Sequence, residues 1–288
     1  MTILDGKTAA YKRDESLKSR VSELAKTLGR SPKLAIVLVG DDTLSAHFVG
    51  LKKKNCEALG IECLILHQNE KITQTELEKK IMALNNDKAI DAILVQLPLP
   101  QYIDTNKIIE LIDYRKDVDG LTSKNFGFLA AGKPYLVPCT AKGIVTLLKD
   151  GGIALDGKRA VVVGRSNLVG KPTAQMLLRE NCTVTVAHSK SANLAQIVAN
   201  AEILVLAMGN PDVITPEMLR QGVTIVDVAM NRRKGKFVGD IYNAENLPLL
   251  REKCAAITPV PGGVGPMTIV SLMENIVTAA EKATQPSA

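Results

Sequence analysis

Residues 160–172 read AVVVGRSNLVGKP. An apolar, β-branched run passes into a glycine-punctuated turn and then into a segment of helical spacing, the setting in which a glycine loop signals a dinucleotide-binding unit. In that reading Gly164 makes the tight turn, Gly170 permits close helix packing, and free N–H groups at the helix start face a pyrophosphate. Ser166 stands where the usual pattern has its middle glycine, so the same residues would also serve a plain strand-to-helix turn.

The next apolar run, TVTVA at 183–187, predicts a strand ending near an adenosine ribose, where NAD-selective domains usually carry a carboxylate. His188, Ser189 and Lys190 follow instead. No acid repels a 2′-phosphate there, Ser189 can donate to one, and Arg165 offers a charged fork, so the pattern favours NADP over NAD. His188 is a further candidate cofactor contact. The alternative for Arg165 and Ser189 is an ordinary exposed loop.

Outward from this loop, short apolar runs recur at 34–39, 61–66, 92–97, 203–207 and 224–228, and segments of helical spacing lie at 8–28, 43–59, 74–86, 141–150, 169–179 and 191–199. Alternating strands and helices predict an α/β fold with parallel sheets covered by helices. At 288 residues the chain exceeds one typical domain. The stretch 114–140, weakly periodic and rich in Gly and Pro, is read as an interdomain connection. An apolar-periodic helix ending near 283 is expected to pack back on the first domain. The expected division is 1–139 plus 265–288 against 140–264, and the tail at 283–288 reads as a frayed terminus without function.

No apolar run approaches the length of a membrane span, and charged residues interrupt the N-terminus before a secretory core, so a cytoplasmic location is expected. Cys56, Cys63, Cys139, Cys182 and Cys254 are odd in number and lack CxxC spacing, which points to neither a disulfide framework nor a metal site. A net charge of +6 suits nucleic acid or small polyanions alike. Lys52–Lys54 and Arg232–Lys234 read first as solvated charge, and 3% aromatic content weakens any base-stacking surface, so no nucleic-acid partner is expected.

LVQLPLP at 94–100, KDVDG at 116–120, VVVGRS at 161–166 and ITPVPGGVGPMT at 257–268, in this order, resemble the bifunctional methylenetetrahydrofolate dehydrogenase/cyclohydrolase family over almost the whole chain. The resemblance implies an N-terminal α/β catalytic domain completed by the C-terminal helix and a Rossmann-like NADP domain, with the active site in the cleft. It further implies a homodimer, and NADP-dependent oxidation of 5,10-methylenetetrahydrofolate followed by hydrolysis of the methenyl product to 10-formyltetrahydrofolate.

Carried over residue by residue, the resemblance makes Lys52 the general acid/base of hydrolysis, Gln96 its hydrogen-bonding partner and Asp119 the carboxylate that grips the pterin ring. Asp117 reads as structural. Pro261, Gly262 and Gly263 fall in the substrate loop, and Thr268 is a cofactor or helix-start candidate. Two positions depart from the family pattern. Phe48 replaces its tyrosine, keeping a ring to stack on the aminobenzoyl group but losing a hydroxyl near Lys52. Ala229 and Met230, in the expected cofactor pocket, replace Gly and Ile. Because of Phe48, a dehydrogenase without cyclohydrolase activity is the alternative. A nucleic-acid module and a silent scaffold are the remaining readings, and the lysine at position 52 argues against silence.

Overall fold

The computed structural model describes residues 1–211, 213–233 and 235–284. Lys234 and residues 285–288 of the expected tail lie outside them. The described residues pack as two compact units, residues 13–139 with 271–284, and residues 1–12 with 140–270.

β1 (Thr2–Ile3) and α1 (Gly6–Leu28) open the chain, followed by β2 (Lys33–Val39), α2 (Thr43–Leu59), β3 (Glu62–Gln68), α3 (Gln74–Asn86), β4 (Ala92–Val95), α4 (Thr105–Leu111) and α5 (Ser123–Ala130). In the first unit β2 is the middle strand of a parallel sheet ordered β3-β2-β4. Its run LAIVLV is buried throughout, as a strand covered on both faces requires. Ile93, Leu77, Ile81 and Ile108 share one core with Val37 of this run. A capping box between Thr73 and Glu76 starts α3, satisfying donors that the first helical turn leaves free.

The stretch read as a connection is instead a folded part of this unit. Ile93 and Asp117 form a parallel bridge, Thr122 caps α5, and the Glu110 carboxylate accepts from both the N–H and the hydroxyl of Ser123. Its turn chemistry hid an eight-residue helix too short for a clear period. Asn275 also ties this stretch down: its side-chain amide donates to Val118 O and Val137 O, each at 2.8 Å. Replacing Asn275 by Ala leaves both carbonyls short of a buried donor, with an expected loss of about 2–4 kcal/mol. A fall in the urea midpoint at unchanged slope checks this.

α6 (Cys139–Asp150), β5 (Arg159–Val163), α7 (Gly170–Arg179), β6 (Thr183–Ala187), α8 (Leu194–Ala199), β7 (Ile203–Leu206), β8 (Val223–Asp227), the hairpin of β9 (Asn231–Arg233) and β10 (Lys236–Val238), α9 (Leu247–Lys253), β11 (Cys254–Ile257) and α10 (Val264–Thr284) complete the chain. The second unit's six-stranded parallel sheet is ordered β1-β11-β8-β7-β5-β6. Because β6 and β7 lie on opposite sides of β5, the winding reverses there, and open α/β sheets bind ligands outside the carboxyl ends of strands at such a reversal.

Residues 1–12 differ from the expected division. β1 pairs with β11, Leu4 N donates to Ile257 O at 2.8 Å, and the Leu4 side chain is buried. A two-residue strand carries no periodic signal, so sequence alone could not place it. Residues 265–270 likewise pack with the second unit. No helix among the described residues is long and apolar enough to cross a membrane.

Candidate active site

In the first unit the site begins with α2. The Asp42 carboxylate accepts Ser45 N at 2.7 Å and Gly60 closes the helix in the left-handed region, which fixes the helix between two firm ends. Phe48 and Lys52, four residues apart, therefore share one face. Phe48 is half-buried, with the exposed His47 ring edge-on to it at 5.9 Å.

Gln96 continues the β4 ladder by donating its backbone N–H to Val37 O at 2.9 Å, and is 9% exposed. Its side-chain Nε2 donates to Leu97 O at 2.7 Å, which leaves Oε1 to accept Lys52 Nζ at 2.7 Å. The amide is thus oriented by its own backbone and holds the lysine head in one place. Asp119 is half-buried in the turn after the Asp117 bridge. Burial pushes its carboxyl above the usual carboxylate range, while the Lys52 charge acts in the opposite direction. Lys52 and Gln96 are thus joined by a direct hydrogen bond, and the Lys52 charge reaches Asp119. Asp117 is buried and accepts Thr122 N at 2.8 Å and Asn125 Nδ2 at 2.9 Å, a structural role that sets the turn carrying Asp119.

In the second unit Gly164 ends β5 at the sheet's reversal, with φ +139. A side chain there would overlap Ala207 O, so β5 and β7 leave their loops in close contact. A side chain on Gly170 would overlap Gly164 O, in keeping with its expected packing role. The helix start itself differs from expectation. Ser166 Oγ accepts Val169 N at 3.1 Å and Gly170 N at 3.4 Å, Ser166 O accepts Lys171 N at 3.1 Å, and Pro172 has no N–H to offer. The serine in the middle-glycine position spends the helix-start donors inside the loop, so they do not face outward to a pyrophosphate.

Arg165, Ser166 and Ser189 are exposed along this edge and His188 is half-buried. His188 Nδ1 accepts Lys190 N at 3.2 Å, leaving Nε2 as the ring's outward donor. Ala229 is half-buried and Met230 exposed in the segment leaving β8. In the 258–263 loop, Val260–Pro261 is cis, Gly262 has φ +107, and Gly263 N donates to Pro259 O at 2.9 Å. Thr268 Oγ1 lies 3.2 Å from Val264 O and 3.3 Å from Thr140 Oγ1, which makes it a link between α10 and α6 rather than an outward-facing group.

Sequence reasoning passed over Asp227 and Asp240. Both are fully buried carboxylates at the carboxyl edge of the second sheet. The only signal in the sequence was an acid directly after the apolar run VTIV.

The family model for the tetrahydrofolate dehydrogenase/cyclohydrolase catalytic domain matches residues 4–119, and that for the same family's NAD(P)-binding domain matches residues 138–284. The bifunctional protein FolD of Campylobacter concisus is 48% identical over 98% of both chains. The crystal structure of the bifunctional FolD enzyme of Campylobacter jejuni superimposes with a TM-score of 0.93 at 44% identity, covering 98% of this chain and 99% of that one. The Trypanosoma brucei FolD structure, complexed with NADP and an inhibitor, gives 0.92 at 34% identity over 99% of each. With both domain models matched and full-length relatives at this identity, the chain belongs to the tetrahydrofolate dehydrogenase/cyclohydrolase family.

Proposed function

We infer that the chain oxidises 5,10-methylenetetrahydrofolate to the methenyl form with NADP and hydrolyses that product to 10-formyltetrahydrofolate. The observation that carries the reading is the Lys52–Gln96 hydrogen bond beside Asp119, within a chain whose relatives are named bifunctional over their full length. Those names run against a dehydrogenase that has lost hydrolysis through Phe48.

The residues present fit NADP. The sheet reversal at Gly164 gives backbone access, no carboxylate follows β6, and Arg165 and Ser189 are free to meet a 2′-phosphate. Bound there, the nicotinamide supplies a hydride acceptor. Charge at the outer phosphates falls to side chains such as Arg165, because Ser166 has used the helix-start N–H groups. Asp119 accepts hydrogen bonds from the pterin's adjacent N–H donors, and Phe48, on the helix face it shares with Lys52, offers its ring to the flat substrate. In hydrolysis, water adds to the methenyl carbon and the bond from that carbon to the ring nitrogen opens. Lys52, oriented by Gln96, gives a proton to the departing ring nitrogen and regains one from the added water, whose second proton is released to solvent. A homodimer acting in the cytoplasm is part of the same proposal, and light scattering at twice the chain mass tests the dimer.

The direct test follows methenyl absorbance without cofactor and, separately, NADP reduction with methylenetetrahydrofolate. The wild-type chain is expected to perform both. Phe48→Tyr should change hydrolysis by no more than about tenfold, the scale of one added hydrogen bond, with NADP reduction unaltered. Hydrolysis that emerges only in Phe48→Tyr would remove the cyclohydrolase half of the reading.

A further inference from the structure

Three segments leave the carboxyl edge of the second sheet, and two buried carboxylates bind them together. Asp240 follows β10 and is fully buried. Its Oδ2 accepts the N–H groups of Met208 at 2.9 Å and Gly209 at 3.2 Å, the residues that leave β7 just beyond Ala207. Its Oδ1 accepts Asn231 Nδ2 at 3.0 Å, at the point where the Val228–Met230 segment from β8 enters β9.

Asp240 is itself held by Asp227, the last residue of β8. Asp227 Oδ1 accepts Asp240 N at 2.9 Å, and Oδ2 accepts Ile241 N at 2.9 Å and Tyr242 N at 2.8 Å. Asp227 N donates to Thr258 Oγ1 at 2.8 Å, which extends the chain of contacts to the start of the 258–263 loop. A side chain on Gly239 would overlap the Asp227 carboxylate, so that glycine makes the insertion possible.

This arrangement is expensive for a fold. Burial pushes the Asp227 carboxyl up to about 6, against the pull of three backbone donors. Among the described residues no cationic side chain forms an ion pair with either acid, so backbone N–H groups and one amide carry the whole compensation. Apolar residues of similar volume would spare the desolvation of two carboxylates, while leaving these backbone N–H groups without acceptors. What they would not do is fix the backbone of Met208, Gly209 and the segment ending at Met230 relative to one another.

We propose that Asp240, held by Asp227, is a positioning residue for the reactive end of the bound dinucleotide, setting the loops after β7 and β8 against which that end must lie. This rests on the reading that NADP binds along the same sheet edge. The residues proposed for the adenosine end, Arg165 and Ser189, belong to other loops, so disturbing Asp240 should misplace the reacting ring more than it weakens binding.

The test uses the full chain and three functional readouts, NADP affinity by calorimetry, kcat for NADP-dependent oxidation and cofactor-free methenyl hydrolysis, with the urea unfolding midpoint as a control for folding. Asp240→Ala is expected to lower the oxidation kcat about a hundredfold, the scale of an ångström-sized misplacement, while affinity and hydrolysis stay within roughly threefold. Asp240→Asn should stay within roughly threefold in all three, because its oxygen can keep both backbone donors while the Asn231 amide turns over to accept from its nitrogen. An oxidation rate unchanged in Asp240→Ala overturns the proposal, as does a parallel loss of oxidation, hydrolysis and unfolding midpoint. If Asp240→Ala does not fold, Asn231→Ala removes one link only and should show the same split at smaller amplitude; wild-type kcat in that variant overturns the proposal too. Absence of NADP-dependent oxidation in the wild-type chain would instead sink the cofactor reading itself.

Discussion

Lys52→Met is expected to lower methenyltetrahydrofolate hydrolysis about a thousandfold, within the usual range for loss of a positioned general acid/base. Methionine keeps the length and apolar stem of the side chain, so α2 should hold its place and Phe48 should still lie on the same face. What disappears is the ammonium group that Gln96 Oε1 accepts at 2.7 Å. Gln96 Nε2 remains committed to Leu97 O, so the amide cannot turn to take over as a proton carrier. Oxidation is expected to fall far less, because hydride transfer asks the protein for contact between two bound molecules rather than for a proton. Equal losses in the two activities would assign Lys52 to substrate binding instead.

The same variant has a consequence at Asp119. Its carboxyl is raised by burial and drawn down by the Lys52 charge. Removing that charge leaves burial less opposed, so the carboxyl moves further up and stays protonated to higher pH. A protonated carboxyl offers fewer acceptor sites to the pterin. The acid limb of a folate-binding pH profile should therefore shift toward higher pH in Lys52→Met, and a shift the other way would mean that Lys52 does not act on Asp119.

The long buried strands and their covering helices were legible because residues such as Ala35–Val39 and Val161–Val163 must be apolar wherever a parallel strand is buried on both faces. α2 was legible for a related reason, with its apolar spacing running up to Gly60 as a stop. Four short strands were not. β1, β9, β10 and β11 owe their existence to neighbours in the sheet rather than to local pattern. The α7 start shows a different limit: the sequence marks Ser166 as a departure from glycine, but only the folded loop shows that the hydroxyl takes the donors the missing glycine would have left free. Asp227 and Asp240, thirteen positions apart, signal nothing until Gly239 brings them together.

Gly164→Ala is expected to damage the second unit severely. At φ +139 an L-residue lies outside its ordinary backbone regions, a strain of about 1–3 kcal/mol. The new methyl would also meet the Ala207 carbonyl, oxygen and carbon alike, which is backbone and cannot rotate away. β5 and β7 would have to separate at the sheet's reversal, although Ala207 N to Val163 O at 2.9 Å holds them in register, while Gly164 N to Ala187 O at 2.9 Å ties β5 to β6 on its other side. The combined loss should reach about 4 kcal/mol or more once that packing cost adds to the strain. Gly222→Ala separates the two contributions: Gly222 also has positive φ, but open space surrounds its missing side chain, so only about 1–2 kcal/mol should be lost. Urea unfolding of both variants checks the difference, and NADP titration of the Gly164 variant should show weakened binding because the displaced loop carries Arg165. If the two glycine variants lose the same stability, then the close approach of Gly164 to Ala207 is not what shapes this edge, and the cofactor must be held by the side chains alone.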